Sequence, residues 1–275
     1  MDRDIETLPT DPKNKKLVAV PEQEWNQWKE SWGPSQNIKN FFSEQDLEWL
    51  TDMMYKNHHK RRVKKNGTLH FMCDMDVIKE KFFDRIQQAV PYIEDSPWRG
   101  NFFITSTPYN LHTDTGTPDA YKDLVPGKQL IIPLFICWGG HHDKPEDWHP
   151  ECGTMIFKNR FIMYGSNFAK SDSKYDTNVN FTIRDYTNLK CFDIDGNQMS
   201  IDWNKGIGKE NYQKYFTHFN HKWLEGFEIE KFLDWRRGNL LAFDMAQAHC
   251  GINFLKHQVN LKAGLTIMTT RKKYE

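Results

Sequence analysis

Gly238-Asn239-Leu240-Leu241-Ala242-Phe243-Asp244 sets a turn-forming glycine ahead of a short apolar run, and His249 follows a few residues past its end. A run this short, bounded by turn residues, reads as a buried β-strand. Similar β-rich runs recur on either side of it, at 102–107, 129–137, 154–157, 161–164 and 265–269. Asp195-Gly196-Asn197, between the runs 191–194 and 199–201, has the composition of a hairpin turn. Short, scattered strands of this kind predict an antiparallel barrel or jelly roll rather than a βαβ sheet, so the chain is expected to be mainly β with flanking helices.

The helices are expected ahead of residue 100. Trp25, Trp28 and Trp32 have the spacing of one side of a short helix. Ser43 is a good N-cap, with Asp46 in the first turn and Leu47, Leu50 and Met54 on one face. A second helix is predicted over 76–90, where Ile78, Phe82, Ile86 and Val90 recur every fourth residue and Pro91 removes the next backbone donor. A further helical stretch is expected over about 210–224. Residues 1–20 are charged and poor in apolar side chains, as in a flexible arm, and 21–275 are expected to form a single domain. Within it, 21–100 would be a helical layer and 101–275 a β core carrying an insertion at about 165–237.

At 275 residues the chain is long enough for one large domain with a full core. Its 37 basic and 37 acidic side chains cancel, so no global field draws it to nucleic acid or anionic lipid. The local basic run Lys60-Arg61-Arg62 with Lys64-Lys65 is expected to be a solvated turn between two helices. Cys73, Cys137, Cys152, Cys191 and Cys250 are odd in number, far apart and without a CxxC pair, which argues against a disulfide framework and for a reducing cytoplasm. The first residues lack the apolar core of a signal peptide, and the longest apolar run, 130–138, is too short to span a bilayer, so a soluble protein is expected. The 19 Phe, 10 Tyr and 10 Trp are mostly accounted for by core filling.

The chemistry is concentrated in His112-Thr113-Asp114, with His249 and Lys262 far downstream. Residues two apart on an extended segment project to the same side, so His112 and Asp114 can meet one ion. Two imidazoles and one carboxylate are what a non-haem iron(II) site needs to hold the metal on one face and leave the other open. Taken singly, the triplet could equally be a capped surface turn and His249 a satisfied buried histidine. A histidine just past a buried strand, together with the first pair and a lysine on the next strand, favours a metal site.

The segment Tyr109-Asn110-Leu111-His112-Thr113-Asp114 resembles the Tyr-x-x-His-x-Asp motif of the iron(II)- and 2-oxoglutarate-dependent dioxygenases, in their prolyl-hydroxylase-like and phytanoyl-hydroxylase-like branches. Lys262-Ala263-Gly264-Leu265-Thr266-Ile267 resembles their Arg-x-Ala-Ile-Thr strand, and the likeness spans roughly residues 100 to 270. It implies a double-stranded β-helix with the early helices packed outside. It also implies iron(II) held by His112, Asp114 and His249, with 2-oxoglutarate and O2 as cosubstrates. The far carboxylate of 2-oxoglutarate would then need a cation. Lys262 is the first candidate, with Thr266 as a neighbouring hydroxyl; the family more often has arginine there, and lysine offers a point charge instead of a fork. Lys128, in Gly127-Lys128-Gln129, resembles the anchoring lysine of the jumonji-like branch and is the rival. Tyr109 would line the cosubstrate pocket or simply pack beside it, and Asn253 would orient the metal loop or act as a plain turn residue. The implied reaction is hydroxylation of an unactivated C–H bond coupled to decarboxylation of 2-oxoglutarate to succinate. Asp114 disfavours the halogenase variant, which has a small residue at that position.

Other readings compete. His141, His142, His149 and Cys152 offer imidazole and thiolate for a zinc ion, but in a spacing that matches no common zinc module. A non-catalytic metal-binding barrel would keep the fold without turnover, and a cupin-type metal-dependent enzyme would use more histidines. The insertion carries Arg184, Tyr186, Tyr212, Tyr215, Trp223 and Trp235, and could select a small metabolite, an amino acid or a protein side chain.

Overall fold

The structure is a computed structural model and describes residues 18–64, 67–116, 123–139, 146–164, 190–218 and 220–274. With strands numbered along the chain, the larger sheet runs in the spatial order β2 (Gln36–Ile38), β11 (Leu240–Asp244), β6 (Leu124–Trp138), β13 (Val259–Lys272), β5 (Arg99–Thr105), β4 (Leu69–Phe71) and β3 (Arg61–Val63). The smaller sheet is β10 (Ile229–Asp234), β7 (Gly153–Phe161) and β12 (Gln247–Gly251), and β9 (Cys191–Phe192) pairs with the end of β7. A short pair, β1 (Val18–Ala19) with β8 (Met163–Tyr164), stands apart. All pairings are antiparallel.

A bridge between His112 and His249 adds the segment after β5 to the free side of β12. The chain therefore passes from one sheet to the other and back: β5, the His112 segment, β6, β7 and β10, β11, β12, β13. This is a double-stranded β-helix, with the basic-residue strand β13 at the centre of one sheet and the His249 strand in the other.

Strand alternation decides what each face meets. Phe102, Leu130, Ile132, Leu240, Ala242, Ala263, Leu265 and Ile267 point out of the larger sheet onto α2 (Glu44–Lys56) and α3 (Met75–Ala89), where Leu47, Leu50, Met54, Ile78, Phe82 and Ile86 cover them. Phe103, Ile131, Leu241 and Phe243 point inward and meet Ile156, Leu233, Trp235 and Phe254 between the sheets. The helices thus seal one face, and His112, Asp114 and His249 fall on the other.

Helix starts follow the sequence signals. Ser43 and Asp46 form a reciprocal capping box on α2 at 3.2 and 3.1 Å; such a cap is worth about 1 kcal/mol. Asp74 caps α3 through the Asp76 N–H at 3.0 Å, and the helix ends just before Pro91. The tryptophan cluster gives only a short α1 (Trp25–Lys29), with Trp28 and Trp32 both buried.

Two expectations are corrected. The helix expected over 210–224 is α4 (Lys209–Tyr215), then a break, then a 3₁₀ turn at His221–Leu224. The break has a cause: the Tyr215 carbonyl accepts the Asn253 N–H at 2.7 Å, and Asn220 caps the new turn. Within the basic run, Arg61–Val63 form an exposed edge strand, β3, hairpinned to β4, while Lys60 ends a 3₁₀ turn, rather than the whole being a turn between helices. The five cysteines are free. Among the described residues no helix is long and apolar enough to cross a membrane, which says nothing of strands.

Candidate metal centre

The backbone assembles the cluster before any ligand is needed. His112 and His249 exchange N–H···O=C bonds at 3.0 and 2.9 Å, and the Asp114 N–H donates to the Met245 carbonyl at 3.0 Å. That lays the HxD segment along the β12 turn and brings the two imidazole centroids to 4.2 Å. One ligand atom from each of His112, Asp114 and His249 lies within 4.8 Å of the others, and this is the one such group of three among the described residues. His249 Nε2 is 3.2 Å from Asp114 Oδ2, and His112 Nε2 is 3.7 Å from Oδ1.

Tautomers follow from what the other ring nitrogens touch. His112 Nδ1 sits 2.5 Å from the Asn110 carbonyl, and His249 Nδ1 sits 3.0 Å from the Gln247 carbonyl. A carbonyl only accepts, so each Nδ1 carries a proton, and each Nε2 is turned toward the shared point beside Asp114. Ring orientation set by a backbone carbonyl is how metal-binding histidines are usually held. The Phe243 ring, 4.6 Å from that of His249, fixes it from the core side.

The electrostatics agree. Burial pushes the His112 imidazole down to about 4, helped by His249 and opposed by Asp114, so the ring is neutral near pH 7. Burial alone would raise the Asp114 carboxyl, but the His249 and His112 rings outweigh it and hold it at about 2. Two imidazoles and one carboxylate form the donor set of a divalent first-row metal with open positions.

Lys262 lies on the inward face of β13 beside Thr105 of β5, 2 % exposed. Its Nζ stands 4.1 Å from the Trp235 ring centroid and 5.5 Å from that of Phe254, and burial lowers its affinity for a proton. Among the described residues it has no hydrogen bond or ion pair. The buried Trp235 Nε1 likewise has no partner there. A buried ammonium and a buried indole N–H without acceptors are costly unless something supplies a carboxylate. Trp235 reaches this position because Gly264 leaves room: a Cβ there would come within 2.8 Å of the indole and 2.9 Å of the Ile132 carbonyl.

The other candidates are spread around this centre. Thr266 shares the inward face of β13, and its hydroxyl accepts from the Gln129 amide. Tyr109 packs 5.9 Å from the His112 ring, and its hydroxyl bonds His70 Nε2 at 3.1 Å. Lys128 lies on the opposite strand face, with Leu130 and Ile132, and its Nζ is bound to Asp244 at 2.6 Å. Asn253 ties its loop to Thr217 at 2.9 Å. Tyr212, Tyr215 and Trp223 pack in a separate cluster on the far side of the smaller sheet. His149 accepts the Glu151 N–H, and Cys152 is buried near Lys262. His141, His142, Arg184 and Tyr186 lie outside the described residues.

His70 escaped the sequence reading, because nothing local marks a histidine on a short edge-side strand. Gly264 did carry a signal: a glycine inside a strand marks close approach by another group, here Trp235. Burial and then Lys64 push His70 down to about 4. Between its ordinary value of 6.5 and about 4, the unfolded chain binds a proton that the native protein does not. Stability of the metal-free protein is therefore expected to fall as the pH drops through that window. His70→Gln should flatten the fall in a series of thermal melts, and an unchanged slope would remove His70 as a cause.

Fold and site together define a double-stranded β-helix with a two-histidine, one-carboxylate cluster at its mouth. No protein-family model matches the sequence, and no curated protein matches it. Among solved structures the chain is similar to a Pseudomonas putida prolyl-4-hydroxylase at 10% identity, over 92% of this chain and 98% of that one, with a TM-score of 0.43. It is similar to the epimerase SnoN in complex with Fe3+, alpha-ketoglutarate and nogalamycin RO at 12% identity, over 92% and 85% of the two chains, with a TM-score of 0.45. HygX from Streptomyces hygroscopicus, with nickel and 2-oxoglutarate bound, gives 12% identity, coverages of 93% and 88%, and a TM-score of 0.40. At these values the likeness transfers neither activity nor substrate to this chain.

Proposed function

We propose that the protein is an iron(II)- and 2-oxoglutarate-dependent oxygenase that hydroxylates an unactivated C–H bond of a small metabolite, an amino acid or a protein side chain. The supporting observation is the convergence of His112 Nε2, His249 Nε2 and an Asp114 carboxylate oxygen on one point, with both Nδ1 atoms already committed to carbonyls. When bound, the metal supplies activation of O2, driven by oxidative decarboxylation of 2-oxoglutarate to succinate and CO2.

The chain's own contribution is placement. His112, Asp114 and His249 would hold the metal from one side and leave the remaining positions to the keto acid and O2. Lys262, joined by the Trp235 N–H, would receive the distant carboxylate. A divalent metal, the Asp114 carboxylate, a dianionic 2-oxoglutarate and the Lys262 ammonium together come to neutrality, which a dry interior requires. Phe103, Trp235 and Phe254 keep water from this region, and Tyr109 lines the mouth. Thr266, on the same face of β13 as Lys262, would be a neighbouring hydroxyl. Lys128, already bound to Asp244 on the other strand face, is the weaker choice. Free cysteines and the absence of a pairing pattern suit a cytoplasmic setting.

Purified protein given iron(II), 2-oxoglutarate and ascorbate is expected to form succinate slowly without added substrate. His112→Ala and His249→Ala should each lose succinate formation and metal binding together, by about a hundredfold or more. If wild type forms no succinate and shows no thermal shift with 2-oxoglutarate, the oxygenase reading fails and a metal-binding barrel of another kind remains.

A further inference from the structure

On the helix side of the larger sheet, opposite the metal cluster, lies a cavity of about 190 Å³. Register explains its position. Gln36 pairs with Ala242 across β2 and β11, and Lys128 pairs with Asp244 across β6 and β11, so these four side chains share the outward face of the sheet. Ala242 is the small member of the set and leaves a gap between the two long ones. Helix α3 ends at Ala89, and Val90, Pro91 and Tyr92 line the gap from the helical layer. Trp32 and Pro34, in the segment that leads into β2, also line it.

The polar groups of this cavity are incompletely bonded. Gln36 Oε1 is buried and has no hydrogen-bond partner among the described residues. Lys128 is buried, and its ammonium donates to Asp244 Oδ1 at 2.6 Å and to no other acceptor among the described residues. Asp244 is itself shared with Arg160 Nε at 2.7 Å. A Cβ on Gly33, another lining residue, would lie 3.6 Å from Lys128 Nζ, so the ammonium stands at the cavity wall. A buried acceptor without a donor, beside a buried donor with hydrogens unused, calls for a molecule that offers both. Tyr92 is a second, independent sign. Following Pro91, it holds φ at 63°, in the left-handed region that a bulky residue seldom adopts, and its exposed ring stands 5.7 Å from Lys128 Nζ. Backbone held in this way is found at ligand clamps.

We propose that this cavity binds a small planar molecule carrying a neutral carboxamide. The amide carbonyl would accept from Lys128, the amide N–H would donate to Gln36 Oε1, and the flat part would lie against Trp32, Tyr92, Pro34 and Pro91. Size agrees with this. An apolar cavity of about 150 Å³ holds benzene, so one of about 190 Å³ holds a single ring with an amide attached. Water alone would satisfy the polar atoms but leave the aromatic and proline surfaces wet. A carboxylate is disfavoured, because it offers Gln36 no hydrogen and would set a second negative charge beside Asp244. The site includes none of the metal ligands and does not depend on the oxygenase reading.

The test uses the full chain without metal, so that its failure leaves the oxygenase reading untouched. Benzamide, benzoate and toluene are titrated in separate arms, and the indole N–H resonance of Trp32, assigned through Trp32→Phe, reports binding. Benzamide is expected to shift it saturably in the millimolar range, with benzoate and toluene each weaker by about tenfold or more. Gln36→Leu should lower the affinity for benzamide about tenfold and leave that for toluene unchanged. Tyr92→Gly removes the ring and the left-handed strain together, so it should melt no lower than wild type while losing benzamide binding. No saturable shift with benzamide, an equal or tighter response to toluene or benzoate, or full binding in Tyr92→Gly would overturn the proposal.

Discussion

Replacing Lys262 with methionine is expected to stabilise the metal-free protein and, in the same variant, to remove its response to 2-oxoglutarate. The two effects have one cause. Lys262 is buried among Trp235, Phe254, Cys152 and Cys250, and among the described residues no acid pairs with it. A buried ammonium in such a place is unfavourable, and an apolar side chain of similar volume is often better by about 1–4 kcal/mol. Once 2-oxoglutarate is bound the sign reverses, because its far carboxylate would lie buried without a cation. Breaking a buried pair by removing one partner costs about 3–5 kcal/mol, or about two to three and a half decades in affinity. Thermal melts of wild type and Lys262→Met, with and without 2-oxoglutarate and iron(II) under anaerobic conditions, read both terms at once. A variant that is less stable than wild type, or that keeps the 2-oxoglutarate shift, would show that Lys262 is not the anchor.

Asp244→Ala is expected to have the largest effect on folding of any single change near the site, about 3–5 kcal/mol. Asp244 is fully buried at the end of β11, where one carboxylate oxygen takes Lys128 Nζ at 2.6 Å and the other takes Arg160 Nε at 2.7 Å. The Gly33 N–H also reaches it at 3.3 Å. Without it two cations are left in the interior, with Glu230 reaching only Arg160, at 3.5 Å. The loss would extend to the metal site. Met245, the next residue, donates its N–H to Gly127 and accepts the Asp114 N–H, and Gln247, whose carbonyl holds the His249 ring, is bonded through its amide to Glu230 at 2.6 Å. Urea unfolding gives the stability loss, and manganese titration the loss of metal affinity. Combining Asp244→Ala with Lys128→Met should cost less than the sum of the single changes, since one stranded charge is removed with its partner. A single variant within 1 kcal/mol of wild type would show that the charge cluster does not hold the β11–β12 turn.

Helix positions and the mainly β architecture were legible from the sequence because they rest on local periodicity and capping. Ser43 with Asp46, and the fourfold recurrence ending at Pro91, depend on neighbours in the chain and survive unchanged in the fold. His112 and Asp114 could be paired for the same reason, two residues apart on an extended segment. The helix expected past Tyr215 was lost to a bond from Asn253, a partner distant in sequence.

What the sequence determined alone was the inventory: a β-rich core with outer helices, an HxD triplet, a later histidine on a buried strand, and basic residues in several places. Which basic residue points between the two sheets was decided only by tertiary structure. Lys262 and Lys128 both lie on strands of one sheet, but alternation turns Lys262 inward, toward Trp235, and Lys128 outward, onto Asp244. Arg61–Val63 changed from a turn to an edge strand of that sheet for the same physical reason. A strand's register with its neighbours fixes the face on which each side chain lies, and register is set by hydrogen bonds between segments far apart in the chain.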